Sequence, residues 1–288
     1  MKKLIIGLFV AVTLTSMYAC SPKNDDKKVT IAYVNWAEGV AMTQLSKVLL
    51  EKEGYTVVLK NADVAPVFAA VAGGDADVFL DTWMPVTHKE YLDKFGAKLE
   101  VLGTNFDNAR IGFVVPESVN INSIDELNAN AALFNGKIVG IDAGAGIMNK
   151  AEEAIKAYGL KLELQSASEA AMLATVKKSI DAGTPVVVTG WSPHYMFSNY
   201  KLKFLKDPKG IFGDVETIQT VANKDFVRSN PKVTAFFRNF KLNELQLGSL
   251  MGALAGAGDD KAAIEKWLEQ NQDLERQLSS FIKTEAVN

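Results

Sequence analysis

The chain has 288 residues, with 31 Lys and Arg against 34 Asp and Glu for a formal net charge of −3. With 48% hydrophobic and 23% charged residues it has the composition of a globular protein, which excludes a disordered or fibrous chain. The lack of a basic excess argues against nucleic acid as a partner. One Cys and two His leave no material for a thiolate- or imidazole-rich metal centre, and no metal or cofactor is expected. The length suits two domains of about 100–150 residues each.

The chain opens on Met1-Lys2-Lys3, followed by an apolar run over residues 4–14 broken only by Gly7 and Thr13. That run is shorter than the about 20 residues a spanning helix needs, and it reads as an export signal over residues 1–19. It ends at Tyr18-Ala19-Cys20, so the only cysteine falls where cleavage is expected. The segment resembles a bacterial lipoprotein signal, in which the Cys becomes a lipidated N-terminus. Met17 departs from the Leu that such signals prefer, and a conventional secretory signal with an incidental Cys is the alternative. Residues 20–28 are polar and unpatterned, and read as a tether. Loss of residues 1–19 removes Lys2 and Lys3 and leaves a net charge of −5.

From residue 29 strands and helices alternate. The pattern predicts a strand over 29–35 and a helix over 39–53, with Ala41, Leu45, Val48 and Leu49 on one face and Gly54 as its stop. A strand over 55–60, a short helix over 65–72 and a strand over 77–80 follow, the last running into Trp83-Met84-Pro85. The plan then recurs: strand 137–142, helix 144–158 closed by Gly159, strand 162–165, and a helix through residue 180. Ser166 to Glu169 has capping-box spacing at the start of that helix. A strand over 185–189 ends the second series and runs into Trp191-Ser192-Pro193. Such series predict parallel sheets covered by helices.

Residues 103–116 and 215–222 read as two extended crossings between the halves, after which the chain returns to the first half as helices. One of these helices buries Ile264, Trp267 and Leu268 at helical spacing. The expectation is an α/β protein of two lobes, residues 29–110 with 213–288 and residues 111–212, around a hinged cleft. Open parallel sheets bind ligands beyond the carboxyl ends of their strands.

Trp36, Trp83 and Trp191 stand at predicted strand ends facing that cleft. Indole faces attract a cation that cannot donate hydrogen bonds, such as a quaternary ammonium, although plugging the interface between lobes explains the same three residues. The turn Gly140-Ile141-Asp142-Ala143-Gly144-Ala145-Gly146 exposes backbone N–H groups at a helix N-terminus, which suits an anion. It lacks the third glycine of a dinucleotide fingerprint. Gly190-Trp191-Ser192-Pro193-His194 superficially matches a serine-hydrolase elbow. His194 replaces the final glycine, and Pro193 lacks the N–H that an oxyanion hole requires there, so a hydrolase using Ser192 and His194 is a remote alternative.

Four stretches carry a resemblance: Ala32 to Trp36, Trp83 to His88, Val139 to Met148, and Thr189 to Phe197. Together they resemble the glycine betaine-binding proteins of bacterial ABC importers, a group that includes proline betaine, carnitine and choline binders. The resemblance implies a two-lobed fold of the type II periplasmic-binding-protein class, a non-catalytic role, and permease and ATPase subunits as membrane partners. It also implies that Trp36, Trp83 and Trp191 cage the trimethylammonium group. His88 and the N–H groups of Gly140 and Ile141 would receive the carboxylate. Choline is the rival ligand within this group, because Glu38, two residues after Trp36, could face a hydroxyl instead of a carboxylate. Tyr195 stands where many relatives have Trp and is expected behind the cage.

Overall fold

A computed structural model describes residues 27–283; Cys20 and the signal segment lie outside the described residues. The first half begins with strand β1 (Lys28–Tyr33), helix α1 (Ala37–Lys52), β2 (Thr56–Asn61), α2 (Val64–Gly73), β3 (Val78–Met84) and α3 (Lys89–Phe95). The long strand β4 (Leu99–Pro116) then leads into β5 (Lys137–Val139), α4 (Gly146–Tyr158), β6 (Glu163–Gln165), α5 (Glu169–Asp181) and β7 (Val188–Ser192). A short α6 (Met196–Asn199), β8 (Leu202–Phe204) and β9 (Glu216–Asn223) precede five helices: α7 (Lys224–Ser229), α8 (Pro231–Asn239), α9 (Glu244–Leu254), α10 (Asp260–Glu269) and α11 (Gln272–Ser280).

Within each half the pairing is parallel: β1 lies between β2 and β3, and β5 between β6 and β7. The two crossing strands are antiparallel to their neighbours, because the chain that leaves the first half on β4 returns on β9. One sheet results, in the order β2-β1-β3-β9-β4-β7-β5-β6, with β8 paired to β4. Up to Ala109, β4 pairs with β9; from Arg110 it pairs with β7 and then β8. The change of partner therefore falls between Ala109 and Arg110.

Two elements differ from the sequence pattern for a stated reason. The strand expected over 185–189 lies at 188–192 because it takes its register from β4, with Ile111 opposite Trp191 and Phe113 opposite Thr189. That pairing carries Trp191 into the sheet instead of leaving it in a turn. Helix α5 is capped by Ser168, whose side chain accepts from the Ala171 N–H at 3.3 Å, and not by Ser166. Glu169 does not fold back as a capping box would have it; its carboxylate goes elsewhere. Both the Met84–Pro85 and the Ser192–Pro193 bonds are cis.

The core follows the periodicities. All of β3 except Met84 is buried, as a strand covered on both faces should be. The C-terminal helices return to the first half: α9 and α10 pack on α1, and α8 on β4. Ile264, Trp267 and Leu268 are buried on α10, and the Trp267 indole N–H donates to Ser249 Oγ at 2.9 Å. Trp267 is thus a packing residue, as its helical spacing implies.

Candidate functional site

Trp36 precedes the first turn of α1, Trp83 lies near the end of β3, and Trp191 lies near the end of β7. All three are at most 5% exposed. They line one pocket between the halves. Its remaining lining includes Glu38, Thr87, His88, Ile111, Ile141 and the first residues of α4.

His88 is fixed by reciprocal bonds with Trp83. The His88 N–H donates to the Trp83 carbonyl at 3.0 Å, and the Trp83 N–H donates to His88 Nδ1 at 3.0 Å. With Nδ1 accepting, the ring proton of the neutral imidazole sits on Nε2. Nε2 is buried and has no partner. Burial lowers the His88 pKa to about 3, so the ring is neutral at physiological pH. It stacks on Trp36 at 5.9 Å and 16°. The turn that carries it is held by Glu216 at the start of β9, whose carboxylate accepts from the N–H groups of Val86 and Thr87 at 2.9 and 2.8 Å.

Three buried carboxyl groups accompany the aromatic residues, and one of them, Glu38, itself lines the pocket. The Trp83 indole N–H donates to Asp81 Oδ1 at 2.7 Å, and the Trp191 indole N–H donates to Glu38 Oε2 at 2.7 Å. Glu169 accepts from the Ala37 N–H at 3.1 Å and lies 3.0 Å from His194 Nε2. Desolvation raises the Glu38 pKa well above the carboxylate range, reinforced by the charges of Asp81 and Glu169 and opposed by the Trp191 N–H. Desolvation likewise lifts Asp81 to about 7, opposed by the Trp83 N–H and reinforced by Glu169.

Several of these bonds join one half to the other. Glu38 and Ala37 belong to α1 in the first half, while Trp191 and Glu169 belong to the second. The Tyr91 hydroxyl donates to the Gly144 carbonyl at 3.0 Å, another crossing contact. At Gly146 a Cβ would lie 2.1 Å from the Thr87 carbonyl oxygen. Only glycine lets the start of α4 approach the His88 turn so closely.

Sequence reasoning placed the anion donors at Gly140 and Ile141, and the structure corrects this. The Gly140 N–H donates to the Gln165 carbonyl at 2.8 Å, continuing the ladder beyond β5, and Gly140 does not line the pocket. Its missing side chain makes room for Met148, whose Sδ would lie 2.2 Å from a Cβ there. Ile141 does line the pocket, but its N–H points to Met148 Sδ at 3.3 Å. Gly146 and Ile147 do line the pocket and lie in the first turn of α4, where a helix leaves its N–H groups without intrahelical acceptors. The hydrolase alternative also fails, because both His194 ring nitrogens are engaged: Nδ1 accepts the Met196 N–H at 2.9 Å, and Nε2 faces Glu169.

Residues 27–270 match the family described as the substrate binding domain of ABC-type glycine betaine transport systems. The chain belongs to this family. It is therefore a substrate-binding domain of a transport system and carries the family's two-part α/β architecture. The chain is 39% identical over 143 residues to a glycine betaine/carnitine transport binding protein of Listeria monocytogenes, a match spanning 49% of this chain and 48% of that relative. It is 25% identical to the glycine betaine/proline betaine-binding periplasmic protein of Salmonella typhimurium over 98% of both chains. The lactococcal family member crystallised in its closed conformation with glycine betaine superimposes with a TM-score of 0.83 at 33% identity. That alignment covers 88% of this chain and 99% of the other.

Sequence reasoning brought the three Trp and His88 together but assigned no place to Asp81 and none near the pocket to Glu169. One signal was available. Asp81 is the one ionisable residue of a nearly fully buried strand, two residues before Trp83, and a charged residue in such a strand needs a partner.

Proposed function

We propose that the chain is the extracytoplasmic component that captures glycine betaine, or a close relative of it, and delivers it to the permease and ATPase of an ABC importer. The observation that carries this reading is the buried, unpartnered Nε2–H of His88 in a pocket walled by three indoles. A zwitterion with a trimethylammonium group and a carboxylate satisfies both ends. The π-faces of Trp36, Trp83 and Trp191 attract the cation. The carboxylate accepts from His88 Nε2, helped by the N–H groups of Gly146 and Ile147 and by the dipole of α4.

The two halves act as lobes, 29–110 with 213–288 and 111–212, that close on the ligand about the crossing strands β4 and β9. Cys20 is the lipid-anchored N-terminus after removal of residues 1–19, with residues 20–28 as tether. The sequence pattern supports this anchor. Among the described residues, no helix is long and apolar enough to cross a membrane.

Titration calorimetry with glycine betaine, proline betaine, carnitine and choline tests the ligand assignment. The carboxylated compounds should bind more tightly than choline, and Trp83→Ala and Trp191→Ala should weaken all four. Tighter binding of choline, or no binding of any trimethylammonium compound, would overturn it.

A further inference from the structure

Glu38 and Asp81 are buried, at 1% exposure each, and among the described residues neither forms an ion pair with Lys, Arg or His. Asp81 Oδ2 has no hydrogen-bond partner at all. It lies over Gly39 in the first turn of α1, where a Cβ would come within 2.6 Å of it. Glu169 is the third carboxyl group of the cluster, and it lies 3.0 Å from His194 Nε2. Burial without a counter-charge favours the neutral forms of Glu38 and Asp81 in the empty pocket, and a cation brought beside them favours their ionised forms. Each of these two carboxylates holds the indole N–H of a cage residue, one Trp in each half. An indole whose N–H donates to an anion carries more electron density on its ring, which strengthens its attraction for a cation.

Building on the ligand assignment above, we propose that Glu38 and Asp81 are positioning and specificity residues: they hold the Trp191 and Trp83 indoles and serve as the pocket's built-in counter-charge for the ligand's quaternary ammonium. The ammonium is then recognised by an anionic layer, Glu38 at the pocket wall and Asp81 outside it, as well as by the rings. The Glu38–Trp191 bond spans the two halves, so part of that layer is coupled to its indole only when the cleft is closed. A ligand of the same shape without the positive charge leaves both carboxylates uncompensated, and the pocket rejects it.

The test uses charge-removing variants that keep an acceptor oxygen for the indole: Glu38→Gln, Asp81→Asn and the double variant. The mature chain is titrated with glycine betaine, and with its carbon isostere 3,3-dimethylbutanoate by displacement. Near-UV circular dichroism monitors the indole environment. The expected result is a tenfold or greater loss of betaine affinity in the double variant, with isostere binding not weakened and the Trp signal unchanged. Betaine affinity within threefold of wild type in the double variant overturns the proposal. So does a parallel loss for both ligands, or an altered Trp signal, since either marks a merely structural role. A wild-type chain that binds no trimethylammonium compound overturns the ligand assignment and this inference with it, whereas wild-type binding with unchanged variants overturns this inference alone.

Discussion

Replacing His88 separates the two ends of the ligand. The His88 ring is neutral, its Nδ1 is engaged by the Trp83 N–H, and its Nε2–H is the buried donor left for an anion. A hydrogen bond to a charged group contributes about 1.5–3 kcal/mol. Loss of that bond should therefore weaken glycine betaine by roughly ten- to a hundredfold more than choline, which has no carboxylate. The substitution also strips the Trp83 N–H of its acceptor, at about 1–3 kcal/mol, and removes the stack on Trp36. Those costs act on the protein whichever ligand is present, so they largely cancel in the ratio of the two affinities. His88→Phe provides the sharper control because it keeps an aromatic ring and lacks the donor. The assay is calorimetry at neutral pH with both ligands on wild type, His88→Ala and His88→Phe. A betaine-to-choline ratio within threefold of wild type in both variants would refute the assignment of His88 to the carboxylate.

The Asp81 carboxyl, raised to about 7 from about 3.9 in an unfolded chain, binds its proton more tightly when folded. Its contribution should make the ligand-free protein more stable as pH falls from 8 through 7 towards 4. Thermal melts should show that trend reduced in Asp81→Asn; an identical pH dependence would exclude Asp81 as its source. Around the carboxyl stand Glu38 and the Gly39 backbone from α1, Trp83 on its own strand, and the Glu169 charge from α5. Glycine betaine should reduce the radius of gyration in solution scattering and change Trp fluorescence, and identical curves with and without saturating ligand would argue against hinged closure. Cys20→Ala should abolish labelling by a fatty-acid probe and release the protein from membranes, whereas unchanged labelling and attachment would sink the lipid anchor.

Local pattern reveals what is local. Alternation and helical spacing find the parallel strands of both halves and helices α1, α2, α4 and α5, the Gly54 and Gly159 stops, and the packing role of Trp267, but not the short elements α3, α6 and β8. The long-range pairing of β7 with β4, which sets the depth of Trp191, leaves no mark in residues 185–192 themselves. The carboxyl cluster is hidden for the same reason: positions 38, 81 and 169 share no period or motif and meet only through topology. The glycine-rich turn shows the opposite failure, a visible motif read one turn too early. Gly140 serves Met148 packing, whereas Gly146 lines the pocket and touches Thr87.

The bond between Glu216 and the Val86–Thr87 backbone has a kinetic consequence. Glu216 begins β9, the return crossing between β3 and β4, and ties the His88 turn to the middle of the sheet. Rotation of the second half would carry away Trp191 and the start of α4 but leave Trp36, Glu38, Trp83 and His88 in their mutual arrangement. On the proposed ligand assignment, the first half alone then offers a foothold for each end of the zwitterion, and capture is expected before enclosure. Stopped-flow traces should accordingly show a rapid concentration-dependent encounter followed by a unimolecular phase whose rate saturates, with release to the transporter governed by reopening.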